Sequence, residues 1–382
     1  MRILQICNYL YPHIGGIEQV TRDVAGVIRG EGHEQVILCF NEDAAADGKV
    51  CRRKETAEDT VDGVRVVRCG CAAKLRSQSV SFPFHRELRK LLADFRPDTV
   101  IFHYPNPWQA FFLLRELPEN TRLILWWHLD IVKQKILGRA FAGQNRRLLA
   151  RAGTVVATSP LYIEGSPWLS GARNKCVVIP NCVDEERLKP DPASARIAAE
   201  IRKAHEGKVV CFAAGRHVPY KGIRYLVEAS KLLDDRFAVR IAGSGEETES
   251  LKELAKGDPK VVFLGRVSDG ELKANLMAAD IFCFPSITKN EAFGIALAEA
   301  MYCGKPCVTF TIPGSGVNYV SLRGETGLEV PNRDTAAYAE ALKKLADDPA
   351  LLRKMGKAAK DRAERCFLFP SFRDKVRELL AD

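Results

Sequence analysis

Short apolar runs recur along the chain, each closed by a glycine, a proline or a polar cluster, and many are followed by an amphipathic stretch. Runs that short, rich in Val, Ile and Phe, read as buried strands, and the longer stretches carry the spacing of helices. In the first half the predicted strands are Ile3 to Cys7, Val36 to Phe40, Val64 to Cys69, Thr99 to His103, Leu123 to His128, Thr154 to Thr158 and Val177 to Pro180. Helices are predicted from the Gly15-Gly16 loop to about Ile28 and over Phe84 to Phe95, with an irregular charged insert before Val64. In the second half the strands are Val209 to Ala213, Ala238 to Gly243, Val261 to Leu264, Ile281 to Pro285 and Pro306 to Phe310, with a helix from Gly222 through Leu233. Strands alternating with helices argue for parallel, doubly wound α/β sheets. At 382 residues the chain is too long for one comfortable core, so two domains are expected. The polar, proline-containing segment Asp184 to Pro192 is the predicted linker, separating 1–184 from 185–367. The amphipathic stretch after Pro370 predicts a last helix within 368–382.

Composition narrows the class. A chain 46% hydrophobic and 27% charged is an ordinary globular protein. No apolar run reaches the roughly 18–20 residues of a membrane span. The opening Met-Arg-Ile-Leu-Gln-Ile-Cys-Asn reads as a strand interrupted by a polar residue and not as a signal peptide, so a cytoplasmic location is expected. The 12 cysteines are scattered, mostly in apolar strands, and no Cys-x-x-Cys pair occurs; buried thiols are expected, neither metal ligands nor disulfides. The net charge is +9, and basic residues gather in the first half at Arg86, Arg89, Lys90, Lys133, Lys135, Arg139, Arg146, Arg147 and Arg151. Such clusters suit lipid head groups or diphosphate acceptors, and each reads equally well as a solvated helix face. No nucleic-acid motif accompanies them.

The strand ends carry the candidate chemistry, because open α/β sheets bind ligands beyond the carboxyl ends of their strands. After the strand ending at Pro285 and the polar loop Ser286 to Asn290 comes Glu-Ala-Phe-Gly-Ile-Ala-Leu-Ala-Glu-Ala-Met-Tyr-Cys-Gly, Glu291 to Gly304. Phe293-Gly294-Ile295 opens a predicted helix whose first N–H groups suit an anion such as phosphate. Glu291 precedes that end, and Glu299 lies about two turns inside it. A carboxylate in an apolar helix is costly unless it accepts hydrogen bonds, and a ribose diol would supply them. The plain alternative is a buried helix with one capping and one surface-facing Glu. After Val209 to Ala213, a glycine-bounded loop carries Arg216 and Lys221. A guanidinium fork and an ammonium point charge suit a diphosphate, with two surface cations as the alternative. Gly243-Ser244-Gly245 ends the next strand, a weak signal for a ligand and often a tight turn. Gly15 and Gly16 permit close backbone approach to a ligand, without the Gly-x-Gly-x-x-Gly spacing of a nicotinamide dinucleotide site. His128 closes a strand in Trp126-Trp127-His128-Leu129-Asp130; Asp130, Lys133 and Lys135 follow, placed to orient it or to meet an acceptor. Ser159 ends the next strand and is a further candidate for lining the site.

Glu291 to Glu299 resembles the Glu-x7-Glu motif of retaining glycosyltransferases with the GT-B architecture. From first strand to last helix the chain is most similar to the large GT4 family of nucleotide-sugar-dependent transferases. That resemblance implies two Rossmann-like domains facing across a cleft, with the last helix crossing back to the first. It implies Arg216 and Lys221 as the diphosphate pair, Glu291 on the donor sugar, Glu299 on the ribose, and Gly243 and the main chain of Val267 beside the nucleotide. Gly15 and Gly16 would meet the donor's phosphate and sugar, and His128 the transferred sugar. The implied reaction moves a hexosyl group from a nucleoside diphosphate sugar to an acceptor hydroxyl, with retention and by front-face substitution. Arg216, Lys221 and the N–H groups at Phe293, Gly294 and Ile295 would stabilise the leaving diphosphate, so no metal and no cofactor beyond the donor are expected. The absence of an Asp-x-Asp after a strand agrees with that. The stretch Pro313 to Val320 looks like that of bacterial surface-polysaccharide transferases, several of which use GDP-mannose or a UDP-hexose; mannose, glucose, galactose and their N-acetyl forms stay open. The basic first domain points to a glycan or polyprenyl-diphosphate-linked acceptor and to peripheral contact with the anionic inner face of the plasma membrane.

Rival readings are three. A nucleotide-sugar epimerase shares the two-domain architecture but needs more acid–base residues than His128 and Glu291. A non-catalytic binding subunit would have no reason to keep Glu291, Glu299, Arg216 and Lys221 together. A glycogen-phosphorylase-like enzyme needs a pyridoxal-phosphate lysine and a much longer chain.

Overall fold

The computed structural model describes residues 1–13, 15–46, 49–75, 78–131 and 135–381. They form two compact units: residues 1–158, 166–179 and 373–382 in the first, 159–165 and 180–372 in the second. In the first unit, the described residues build a sheet of β1 (Arg2–Ile6), β2 (Glu34–Asn41), β3 (Ala57–Val61), β4 (Val64–Gly70), β5 (Thr99–Tyr104), β6 (Arg122–Trp127), β7 (Thr154–Ala157) and β8 (Cys176–Val178). The spatial order is β8-β7-β6-β5-β1-β2-β4-β3, parallel throughout except that β3 runs antiparallel to β4. β5 is buried at every position and β6 at all but its first residue, as expected of strands covered on both faces. Helix α1 (Gly16–Gly30) turns Val20, Val24, Ala25, Val27 and Ile28 inward as one stripe. Helix α2 (Pro83–Asp94) does the same with Phe84, Leu88 and Leu91.

The insert that reads as irregular in the sequence folds in large part. Beside β3, Ala44–Ala46 pairs with Lys49–Cys51, and Ala73–Leu75 with Gln78–Val80, both antiparallel. Strands of three residues are too short for a period-two pattern to register. The segment expected to be a linker is also ordered. It holds helix α3 (Glu185–Leu188), capped by the Asp184 carboxylate on the Arg187 N–H at 3.1 Å. The helix Pro192–Ala204 then starts with a capping box between Asp191 and Ser194. Polar residues and prolines here mark helix starts, not bare connection.

In the second unit the described strands are β9 (Val209–Ala214), β10 (Phe237–Ala242), β11 (Val261–Gly265), β12 (Ile281–Phe284), β13 (Cys307–Phe310) and β14 (Gly327–Val330). They form one parallel sheet in the order β11-β10-β9-β12-β13-β14. β14 escapes the sequence pattern because it is a four-residue edge strand with one fully buried position. Helices α4 (Ile223–Ser230) and α5 (Ile295–Tyr302) flank the sheet, and the core gathers Phe212, Phe237, Ile241, Phe282, Leu297, Met301 and Phe310. The last helix, α6 (Phe369–Ala381), gives its residues from Arg373 onward to the first unit; there Arg122 donates to the Leu379 carbonyl at 2.8 Å, and Arg377 meets Glu31 at 3.0 Å. In both sheets the order of strands reverses beside the first strand, between β1 and β5 and between β9 and β12. Those are the switch points at which such folds bind ligands. No described helix is long and apolar enough to cross a membrane.

Candidate functional site

In the second unit the switch point is lined by the residues after β9 and β12. β9 runs into Gly215, Arg216 and His217, and a short turn at Pro219–Lys221 leads to α4. β12 runs into Ser286 and, five residues on, Glu291. The Lys221 ammonium is ion-paired with Glu291 Oε2, and the Ser286 hydroxyl donates to the same oxygen at 3.2 Å. The two charged side chains are only 15% and 11% exposed, so this pair is formed largely out of water. Lys221 also lies over the Phe284 ring at 5.1 Å. The Glu291 carbonyl accepts from the Ser315 hydroxyl, which ties its backbone to the loop after β13. Arg216 is exposed and donates to the Tyr220 hydroxyl at 3.0 Å.

Helix α5 opens directly after this cluster. Phe293 is 2% exposed and packs edge-on against Phe367 at 5.4 Å. Gly294, the N-cap, sits at φ 95° and supplies no capping side chain. A Cβ there would lie 3.1 Å from the Phe284 ring, so both backbone angle and space require glycine. The first-turn N–H groups from Ile295 onward therefore lack side-chain acceptors of their own and are suited to an anion. Gly243 is held as closely: at φ 124°, a Cβ would come within 1.8 Å of the Gly215 carbonyl oxygen. The Gly-x-Gly after β10 thus presses backbone to backbone on the loop that carries Arg216 and Lys221. Val267 is half-buried between β11 and the Ser268–Glu271 capping box of the next helix.

Glu299 points inward from α5 and is 6% exposed, which excludes the surface-facing alternative. Its Oε1 is ion-paired with Arg187 of α3, whose other nitrogen meets Asp269 at 2.9 Å. Burial pushes the Glu299 carboxyl up, and the Arg187 charge opposes that. The partner of Glu299 therefore comes from a segment that reads as linker, and nothing local to Glu299 in the sequence marks it.

In the first unit His128 follows β6 and is 5% exposed, with its N–H on the Tyr104 carbonyl at 3.1 Å. Its Nε2 lies 3.0 Å from Nδ1 of His103, and Nε2 of His103 lies 3.0 Å from the Gln5 side-chain oxygen. Burial pushes His128 down to about 3 and His103 well below the usual histidine range, so both rings are neutral near pH 7. The expectation that Asp130 orients His128 is corrected: His103 does so. Asp130 accepts from the Trp127 indole at 3.0 Å and from the Ser166 hydroxyl at 2.8 Å, pinning the turn after β6. Ser159 is fully buried, caps the helix at Pro160 by accepting from the Tyr162 N–H at 3.0 Å, and belongs to the second unit. Gly15 caps α1 in extended conformation, and Gly16 begins the helix. Lys133 lies outside the described residues, as do the side chains of Lys135 and Arg139. The structure brings together Lys221 and Glu291, and it leaves Glu299 paired elsewhere. His103 and Gln5 were missed because one polar residue in an apolar strand resembles a satisfied core side chain; their positions near the strand ends were the available signal.

Two family models cover the chain in sequence: the glycosyl transferase 4-like domain over residues 15–182 and glycosyl transferases group 1 over 195–362. Among curated proteins it is similar to D-rhamnosyltransferase WbpZ of Pseudomonas aeruginosa, at 30% identity over 96% of this chain and 92% of the relative. It is 28% identical to O-antigen chain mannosyltransferase C of Escherichia coli, over 96% of this chain and 94% of that one. Among solved structures, sucrose-phosphate synthase of Thermosynechococcus elongatus aligns with a TM-score of 0.80 at 19% identity, over 100% of this chain and 98% of the other.

Proposed function

The chain belongs to the family of glycosyl transferases assembled from a 4-like and a group 1 domain, and on that premise we propose that it is a retaining hexosyltransferase. Its donor is a nucleoside diphosphate sugar, GDP-mannose or a UDP-hexose, and its acceptor a hydroxyl of a glycan or polyprenyl-diphosphate-linked saccharide in cell-surface polysaccharide synthesis. The rhamnosyl and mannosyl transfer named for the two relatives supports a mannose-type sugar.

The observation that carries the reading is the buried Lys221–Glu291 pair beside the uncapped start of α5, at the switch point of the second sheet. Departure of a nucleoside diphosphate needs positive charge at the leaving oxygens. Lys221, Arg216 and the N–H groups of α5 supply it. In that role Lys221 exchanges Glu291 for phosphate, and Glu291 turns its acceptor oxygens to sugar hydroxyls. Ribose hydroxyls would donate to Glu299 as Arg187 now does. These groups bind and stabilise the diphosphate without requiring a divalent metal. For peripheral membrane contact, the support is Phe82, 68% exposed, among Arg86, Arg89 and Lys90 on α2.

The test is product analysis with the full chain, GDP-mannose, UDP-glucose and UDP-N-acetylglucosamine, with and without a lipid-linked saccharide, in EDTA. The expected result is release of one nucleoside diphosphate that depends on the acceptor, with an α-linked product from an α-linked donor. Isomerised donor without acceptor would establish the epimerase instead. Donor binding with no turnover under any condition would establish a binding subunit.

A further inference from the structure

The hydrogen bonds behind His128 do not stop at Gln5. The Gln5 amide donates from Nε2 to the Gln35 side-chain oxygen at 3.3 Å, and Gln35 donates from Nε2 to the Ala25 carbonyl of α1 at 2.7 Å. The four side chains sit on one face of the first unit's sheet. Gln35 on β2 lies in register with Ile3, two residues before Gln5 on β1. Gln5 lies in register with Ile101, two before His103 on β5, and His103 with Trp126, two before His128. Two-residue steps keep a side chain on the same face, so the relay climbs diagonally across four neighbouring strands to their carboxyl ends. Gln5 and His103 are 0% exposed, so their polar atoms must find their partners among these neighbours.

The anchor at Ala25 gives this line a direction. A backbone carbonyl can only accept, so Gln35 must present its NH₂ there and its oxygen to Gln5. Gln5 must then present its NH₂ to Gln35 and its oxygen to His103. That oxygen can only accept, so the proton of His103 is on Nε2. His103 is too deeply buried to carry a second proton, and its Nδ1 is therefore a lone pair. It accepts from Nε2–H of His128. The two ring planes are 16° apart with centroids 5.3 Å apart, a geometry that accommodates an N–H to N bond of 3.0 Å. The remaining nitrogen of His128, Nδ1, has no hydrogen-bond partner among the described residues.

We propose that Gln35, Gln5 and His103 are positioning residues that lock His128 as its Nε2–H tautomer, so that Nδ1 serves only as an acceptor for a hydroxyl of the transferred sugar. The identity of that hydroxyl's owner rests on the glycosyl-transfer reading; the tautomer does not. A locked acceptor favours a hydroxyl and rejects an ether or phosphoryl oxygen at the same place, since neither can donate. It also fixes the ring plane at no cost when the donor binds.

The experiment is long-range ¹H–¹⁵N correlation spectroscopy of the full chain labelled on histidine, without ligand, near pH 7.5. In the native protein, His128 is expected to be protonated on Nε2 alone. Gln5→Met removes the acceptor that orients His103, and His128 should then appear as a mixture of both tautomers, with kcat/KM for sugar transfer lowered about 10-fold, as when an outer partner of a site histidine is lost. Gln35→Met, at a half-buried position, gives the same mixed state by letting the Gln5 amide turn over, and serves if Gln5→Met does not fold. His128 protonated on Nδ1 in the native protein would overturn the proposal. So would a single Nε2–H tautomer in both folded variants, or mixed tautomers with unchanged kcat/KM. Native and variant tautomers as expected, with no transfer from any nucleoside diphosphate sugar, would support the relay and reject the assigned reaction.

Discussion

Lys221 and Glu291 hold each other as a nearly buried ion pair, which sets how each responds to removal. Lys221→Ala removes the positive charge proposed to meet the leaving group and leaves a nearly buried carboxylate with one hydroxyl partner. If its work is done mainly at the transition state, kcat falls with kcat/KM, by about 100-fold or more. Glu291→Ala should lose as much, and near-normal turnover in either variant would remove that residue from the site. For Glu299 the proposed partner is the ribose, in place of Arg187, and not the leaving group. Glu299→Ala should raise the nucleotide dissociation constant by about 10-fold, the worth of a charge-assisted hydrogen bond, with a smaller effect on kcat. Titration with the nucleoside diphosphate by calorimetry separates the two effects, and unchanged affinity would reject the ribose role. Arg216, Lys221, Glu291 and Glu299 stand out in the sequence as candidates because each follows an apolar strand or interrupts an apolar helix. Arg187, His103 and Gln5 do not. Their roles depend on partners 112, 25 and 98 residues away, and no local pattern encodes that pairing.

At the level of elements, the loops after β9, β10 and β12 hold one another by backbone contact. Gly243→Ala combines an unfavourable φ of 124° with a Cβ 1.8 Å from the Gly215 oxygen, so the loop bearing Arg216 and Lys221 must shift. Gly257→Ala is the control: its φ is 81°, but nothing lies within 4 Å of the added carbon. The control should cost about 1 kcal/mol from backbone strain alone. Gly243→Ala should cost more than about 2 kcal/mol and weaken nucleotide binding as well. Thermal unfolding followed by circular dichroism, with and without nucleoside diphosphate, distinguishes them; equal effects would mean that the close approach carries no weight. The same contacts show which elements a sequence can yield. Long buried strands such as β5 and β6 announce themselves by continuous apolar runs. β14, the three-residue hairpins and the capped helix α3 have too few residues for a period, and they form because neighbouring segments supply the pairing and burial.

The two units carry their chemistry differently, and the first can be followed by itself. All four tryptophans, Trp108, Trp126, Trp127 and Trp168, belong to it, so intrinsic fluorescence reports its unfolding alone. It also buries His103 and His128 as neutral rings, with His128 pushed down to about 3, and it holds His13, lowered by burial as well. In an unfolded chain a histidine titrates near 6.5. Between that value and about 3 the unfolded chain therefore binds protons that folded His128 refuses, and stability must rise with pH across that window. Stability from this source is fully present above about pH 6.5 and is lost as the pH falls. From pH 7.5 to 5.5 each buried histidine that stays neutral should cost about a tenfold change in the folding equilibrium, on the order of 1 kcal/mol. The test is urea unfolding by tryptophan fluorescence at both pH values, for the native chain and His128→Gln. Glutamine does not titrate, so over the interval the variant should lose less stability than the native chain by the share of one histidine, on the order of 1 kcal/mol, whatever its starting value. An equal loss in both would mean that His128 takes up a proton in the folded state, and the neutral acceptor at the end of the relay would not exist.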